Sequence, residues 1–121
     1  MSKKAVFLCA LAISAPLAAG ERLAMRVTPN MALEPALLTV RTVIEPDPDN
    51  RGLEIVAQSA DFYRSSSVQL DGASAPRLNV FEFKNLPTGT YEVTSVLVGP
   101  AGQRAIVSRV FRVAPAAGSS R

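Results

Sequence analysis

Short runs in which apolar and polar residues alternate constrain the fold of this chain more than any other feature. In residues 37–44 and 53–57 every second position is apolar, except that Thr42 occupies one of them, and this alternation is the period of a β-strand with one buried face. From residue 21 onwards no run of useful length shows the helical period. The pattern therefore predicts strands rather than helices.

The two runs also predict which side chains are buried. The residues expected to face the core are Leu38, Val40, Thr42 and Ile44 in the first run, and Leu53, Ile55 and Ala57 in the second. Between the runs, Pro46 and Pro48 cannot donate to a β-ladder, and the neighbouring Asp, Asn and Gly residues suit turns. We therefore expect a loop there.

Five further runs complete the predicted strand set: 22–27, 62–70, 78–83, 91–98 and 104–113. The run 62–70 is the most polar and predicts an edge strand, whereas residues 28–36 are predicted to be a proline-broken connection. Seven short strands in one domain, residues 21–114, predict an all-β antiparallel sandwich. Residues 115–121 are small and polar, and are predicted to form a flexible tail.

The first 20 residues have the order of a cleavable signal peptide. Lys3 and Lys4 precede an apolar stretch at 5–13, and Pro16 and the small residues 18–20 follow. The apolar stretch is shorter than the ~20 residues of a spanning helix. We therefore expect a bacterial protein that is periplasmic or secreted, with no membrane span after signal cleavage.

Cleavage would change the charge and the cysteine content. Loss of Lys3 and Lys4 lowers the basic residues from 13 to 11, against 10 acidic residues. The arginines are spread among acids, so nucleic acid is not an expected partner. Cys9 is the only cysteine, and the bulky Phe7 and Leu8 before it are atypical of a lipoprotein signal. The exported domain is thus predicted to lack disulfides.

Residues 86–91, with the sequence LPTGTY, carry a family resemblance. The segment resembles the corner before the penultimate strand of immunoglobulin-like and fibronectin type III domains. That resemblance implies structural roles for Leu86, Gly89 and Tyr91, with Leu86 packed inward and the Tyr91 hydroxyl bonded to backbone a few residues upstream. Residues 81–91 also resemble the end of transthyretin-like, carboxypeptidase-regulatory domains. The chain has no tryptophan and no cysteine pair, which departs from antibody domains.

The sequence has few of the residue types that usually act in catalysis. The chain has no histidine, and after cleavage it would have no cysteine, so the commonest general base and nucleophile pairs are missing. Ser65–Ser67 with Lys84 could form a serine–lysine arrangement, but a polar strand face is the simpler interpretation. We therefore predict no catalytic residues, no cofactor and no enzymatic activity.

Two other groups of residues could bind small ions or sugars. Asp47, Asp49 and Asn50 are weak calcium candidates, because calcium usually takes six to eight oxygen ligands and this loop offers three. A turn capped by these side chains is the preferred interpretation, so no metal is predicted. Arg109 and Arg112 suggest either an anion-binding site or the solvent-exposed face of a strand. Phe62 and Tyr63 suggest a sugar- or peptide-contacting surface or simple packing.

The resulting functional prediction is an exported, non-catalytic module that binds an unidentified protein or glycan. Contact would be made by a sheet edge or by the end loops at 46–52 and 71–77. The alternative is a structural accessory or assembly subunit of a cell-surface complex.

Overall fold

The computed structural model describes residues 22–116. The predicted signal peptide, residues 1–20, lies outside the described residues, as do residues 117–121 of the predicted tail. Within the described range, no helix has the length and apolar character needed to cross a membrane.

Residues 22–116 form eight strands and one 3₁₀ turn at Gly72–Ser74. The strands are β1 (Leu23–Thr28), β2 (Met31–Leu33), β3 (Ala36–Ile44), β4 (Gly52–Gln58), β5 (Tyr63–Gln69), β6 (Leu78–Leu86), β7 (Gly89–Gly99) and β8 (Gly102–Ala114).

The strands form two sheets. One has three strands in the order β1-β3-β6, and the other has five in the order β2-β8-β7-β4-β5. Every pairing is antiparallel except that of β2 with β8. This arrangement confirms the predicted all-β sandwich, and it places β5 at an edge, as its polar sequence predicted.

The strand count differs from the prediction of seven because β2 lies in the segment predicted as a connection. Pro29 and Pro35 flank the three residues of β2 and so remove none of its pairing groups. The Glu34 N–H donates to the Ala114 carbonyl at 2.8 Å, and the Arg112 N–H donates to Asn30 at 3.1 Å. Three residues are too few for an alternation that the sequence could reveal.

The core lies between the sheets, and its membership confirms the predicted strand faces. All seven residues predicted to face inward on β3 and β4 are buried. Tyr91 and Phe111 are the largest fully buried side chains, and their ring centroids are 6.2 Å apart. Thr42 satisfies its hydroxyl by donating to the Asn79 carbonyl at 2.9 Å, so the one polar residue among the seven is accommodated.

Candidate interaction surfaces

The loop between β3 and β4 contains the three weak calcium candidates, and it is built as a turn. The Asp49 N–H donates to Asp47 Oδ1 at 2.8 Å, the geometry of an Asx turn. Asn50 is fully buried, and its Nδ2 donates to the Glu45 carbonyl at 3.0 Å. These contacts satisfy backbone groups within the loop.

Arg104, on β8, contacts a side-chain oxygen of two of the three candidates, Asp47 and Asn50. Its Nη1 donates to Asn50 Oδ1 at 2.7 Å, and its Nη2 lies 3.3 Å from Asp47 Oδ2. The Asp49 N–H and the Arg104 guanidinium both lower the pKa of Asp47. No group of three or more His, Cys, Asp or Glu side chains that could hold a metal ion occurs within residues 22–116. The Arg104 guanidinium is therefore the cation that contacts the Asp47 carboxylate of this loop.

The second predicted binding loop, 71–77, is held against the first. The Gly72 N–H donates to the Asn50 carbonyl at 3.1 Å, and the Ser74 hydroxyl donates to the Asp71 carbonyl at 2.8 Å. Asn50 therefore bonds to β8 through its side chain and to the 71–77 loop through its backbone. The polar groups of both loops mainly serve the fold.

The three residues of the corner motif lie together at the opposite end of the sandwich. The Tyr91 hydroxyl donates to the Pro87 carbonyl at 2.7 Å, four residues upstream, which is the geometry of a tyrosine corner. Leu86 is fully buried. A Cβ on Gly89 would lie 3.3 Å from Cβ and Oγ of Ser59, so a larger residue would displace that side chain. Burial raises the pKa of Tyr91.

Glu34 fixes the same end from the β2–β3 connection. Its Oε1 accepts from the Thr88 N–H at 2.9 Å and also from the Thr88 hydroxyl. The hydroxyl, followed by the N–H, lowers the pKa of Glu34. This carboxylate joins the turn before β7 to a loop 54 residues away in sequence.

Phe62, Tyr63 and Arg64 separate into a packing part and an exposed part. The Phe62 ring packs edge-on against Tyr91, with centroids 6.2 Å apart. Arg64 lies 5.0 Å over the Phe62 ring and donates to the Lys84 carbonyl at 3.2 Å. Tyr63 is 64% exposed. Only Tyr63 of the aromatic pair is therefore available to a partner.

The remaining sequence candidates are not brought together. Arg109 is opposite Val93, on the face of β8 that carries Phe111, whereas Arg112 is opposite Thr90 on the other face. The two arginines therefore point to opposite sides of the sheet. Among the described residues, no hydrogen bond joins the Lys84 amine to Ser65–Ser67.

The edge strand β5 is open on its outer side. The Phe62 carbonyl accepts from the Ser59 N–H at 2.8 Å, and the Leu70 N–H donates to Arg51 at 2.9 Å. In an antiparallel pair, hydrogen-bonded residues alternate with residues whose backbone groups point away. The even-numbered residues of 62–70 therefore pair with β4. The residues whose N–H and C=O point outward are Tyr63, Ser65, Ser67 and Gln69.

A hollow lies beside these residues on the outer face of the five-stranded sheet. Its volume is about 380 Å³, and it is lined by Glu54, Val56, Tyr63, Ser65, Ser66 and Ser67. The serine side chains are short, so the Glu54 carboxylate on the neighbouring strand can be reached across β5. Within residues 22–116, Glu54 makes no salt bridge. Glu54 could not be identified as a site residue from the sequence, because only the strand pairing places it behind a row of serines.

Solved structures of known proteins are similar to this chain in fold. No protein-family model and no curated protein sequence matches the chain. Superoxide reductase (neelaredoxin) from Ignicoccus hospitalis superposes with a TM-score of 0.57 at 14% identity, over 77% of this chain and 80% of that chain. A family 76 glycoside hydrolase from a bovine Bacteroides thetaiotaomicron strain superposes with a TM-score of 0.52 at 16% identity, over 75% of this chain and 20% of that chain. A CARDB domain from Pyrococcus furiosus superposes with a TM-score of 0.49 at 11% identity, over 78% of this chain and 92% of that chain.

These comparisons correct one prediction. We predicted from the sequence that the chain has no enzymatic activity, and that prediction is wrong as an exclusion, because solved structures of similar fold include superoxide reductase, an enzyme. The chain has no histidine, and residues 22–116 contain no cysteine, so particular catalytic groups are absent from the described domain, whereas a sandwich can carry many kinds of site. At these identities the similarity shows the fold alone.

Proposed function

We propose that this domain is an immunoglobulin-like interaction module that binds an extended segment of a partner protein alongside β5. The observation that carries the proposal is the row of outward N–H and C=O groups on Tyr63, Ser65, Ser67 and Gln69. A strand laid against such an edge gains main-chain hydrogen bonds whatever its sequence. The tyrosine corner at Tyr91 supports the immunoglobulin-like assignment.

The other sheet edges are less suited to this role. The edge strand β2 has only three residues, and β1 lies against β8 across the sandwich. On β6, the Lys84 carbonyl is already taken by Arg64. By contrast, six of the seven residues of β5 are exposed, on both faces of the strand. A partner segment can therefore approach β5 without displacing any part of the fold.

The hollow beside β5 gives the edge a preference for basic partner residues. A side chain opposite Ser67 on an added strand would pass over that serine toward Glu54, which lies opposite Ser67 on β4. Adjacent strands are about 4.8 Å apart, so only a long side chain such as Lys or Arg spans the two strands. The Glu54 carboxylate, which makes no salt bridge with any residue of 22–116, favours a cation there.

Proline substitution tests whether the open edge of β5 binds a partner. Along β5, residues whose N–H points toward β4 alternate with residues whose N–H points outward. The Ser67 N–H points outward, so Ser67→Pro removes a group needed by a partner but none used by β4. The probe is a short peptide selected from a displayed random library on the unaltered protein. We expect Ser67→Pro to fold and to abolish binding, and Ser67→Ala, which keeps the N–H, to bind as before.

The same variants separate a partner segment from a second copy of the chain. Sedimentation of the unaltered protein is expected to show a monomer at the concentrations used for peptide binding. A concentration-dependent dimer that Ser67→Pro abolishes would instead show that β5 pairs with itself. Equal peptide binding by Ser67→Pro and the unaltered protein would overturn the proposal.

We also propose export from the cytoplasm of a bacterial cell. Support comes from the charged, apolar and small-residue order of residues 1–20. Expression of the full chain in a bacterium, followed by amino-terminal sequencing of periplasmic protein, tests this proposal. A product beginning at or near Glu21 is expected, and a cytoplasmic product that retains Met1 would contradict export.

A further inference from the structure

We propose that the outer face of the three-stranded sheet binds a small carboxylate that carries an apolar chain, and that Arg26 and Arg41 hold its carboxylate. This site lies on the other sheet from β5 and does not depend on the proposed function. Neither arginine was singled out as a site by its position in the sequence.

The first observation is the placement of the two arginines. Arg26 on β1 is directly opposite Arg41 on β3, and both are exposed. Opposite side chains of an antiparallel pair begin about 5 Å apart, and like charges there repel. An anion bound between them would remove that repulsion and accept hydrogen bonds from both guanidinium groups.

The second observation is that no carboxylate of the chain fills this role. Within residues 22–116, neither guanidinium takes part in a hydrogen bond or a salt bridge, and the salt bridge found there joins Arg104 to Asp47. The acid nearest in register is Glu82, which is opposite Thr39 and therefore diagonal to Arg41. The two arginines thus remain available to an external anion.

The third observation is the apolar surface that adjoins the arginines. Val43 is 41% exposed, Leu78 53% and Val80 49%. In the row next to the arginines, Ala24, Val43 and Leu78 lie side by side across the three strands. The short side chain of Ala24 leaves a shallow cavity of about 310 Å³, lined by Ala24, Met25, Arg26, Arg41, Val43 and Leu78.

Together these features select the class of ligand. A planar carboxylate matches the guanidinium fork, and the adjoining apolar row would cover a short hydrocarbon chain. A volume near 310 Å³ is at the lower end for small-molecule sites, so the chain is short. We therefore expect a soluble monomeric amphiphile rather than a membrane surface.

Octanoate is the probe for this site. Acetate, which has the carboxylate without the long hydrocarbon chain, and octanol, which has the chain without the carboxylate, are the comparison ligands. Binding to the folded protein is followed by backbone chemical shifts. We expect octanoate to shift the amides of β1, β3 and β6 and to bind at least about tenfold more tightly than either fragment, because only octanoate contacts both the arginines and the apolar row.

Substituting exposed arginines one at a time distinguishes a specific site from non-specific attraction of the anion to positive charge. Arg26→Gln and Arg41→Gln should each weaken octanoate binding at least about tenfold, whereas Arg112→Gln, on the other sheet, should leave it unchanged. Equal loss in all three variants would overturn the proposal. So would shifts confined to the five-stranded sheet, or binding to phosphatidylglycerol vesicles without binding to octanoate.

Discussion

Arg104 donates to the side-chain oxygen of Asn50 at 2.7 Å, across 54 residues of sequence. Asn50 is fully buried, and its amide nitrogen is bonded to the Glu45 carbonyl at 3.0 Å. The pair therefore joins β8 to the loop between β3 and β4 through a satisfied buried amide. The loop that contains the weak calcium candidates is therefore held in place by a guanidinium.

Arg104→Ala should destabilise the domain by about 2–3 kcal/mol, because the buried Asn50 oxygen would lose its donor. Chemical denaturation measures this change in the free energy of unfolding. Arg112→Ala is the matched control, since that side chain is exposed, and its effect should stay within about 0.5 kcal/mol. Equal effects of the two substitutions would show that the Asn50 contact is unimportant.

Stability should fall as the solution is acidified below about pH 4. The pKa of Asp47 is lowered from its ordinary value of 3.8 by the Asp49 N–H and by Arg104. A group with a lowered folded-state pKa stabilises the fold above its unfolded pKa, and this contribution is lost as pH falls through the folded value. Asp47→Asn should therefore flatten the acid limb of a stability–pH curve. An unchanged limb would contradict the role given to Asp47.

Gly99→Ala should destabilise the domain, because the space beside Gly99 is filled. A Cβ there would lie 2.7 Å from Arg104 Cδ and 2.9 Å from the backbone oxygen of Asp49. The arginine can shift, whereas the Asp49 backbone is fixed by its turn, so we expect a loss of about 1–3 kcal/mol. Gly102→Ala is not a suitable control because its φ of +117° is itself strained for alanine. Ala101→Gly, in the same turn, measures the effect of the turn alone.

Tyr91→Phe should cost about 1 kcal/mol, since it removes the hydrogen bond to the Pro87 carbonyl and keeps the buried ring. Thermal or chemical unfolding measures the loss. Tyr63→Phe, at an exposed position, should have almost no effect.

In the unaltered protein, the raised pKa of Tyr91 stabilises the fold below pH 10, and this contribution disappears as pH rises through the folded value.

The sequence predicts local features of this molecule better than its long-range contacts. Alternation identified the buried face of β3 because Leu38, Val40 and Ile44 repeat at the strand period. It could not identify β2, whose pairing with Arg112–Ala114 is parallel and involves residues about 80 positions away. The polar edge strand was predicted from composition, but its outward backbone groups follow only from the hydrogen-bond phase with β4.

The candidate sites follow the same division. Asp47, Asp49 and Asn50 are close in sequence, whereas Arg104, the partner of Asp47 and Asn50, is distant in sequence. Arg26 and Arg41 are separated in sequence by β2 and its two flanking connections, so only the register of β1 with β3 places them opposite one another. Residues that meet across strands carry the chemistry here.

Amide hydrogen exchange, resolved by residue, tests the β5 proposal most directly. In the free protein, the amides of Arg64, Ser66 and Val68 should be protected, and those of Tyr63, Ser65, Ser67 and Gln69 should exchange rapidly. Adding the library-selected peptide should protect the second set without changing the first. Uniform protection of residues 63–69 in the free protein, or bound peptide that leaves the second set exchanging rapidly, would contradict binding at this edge.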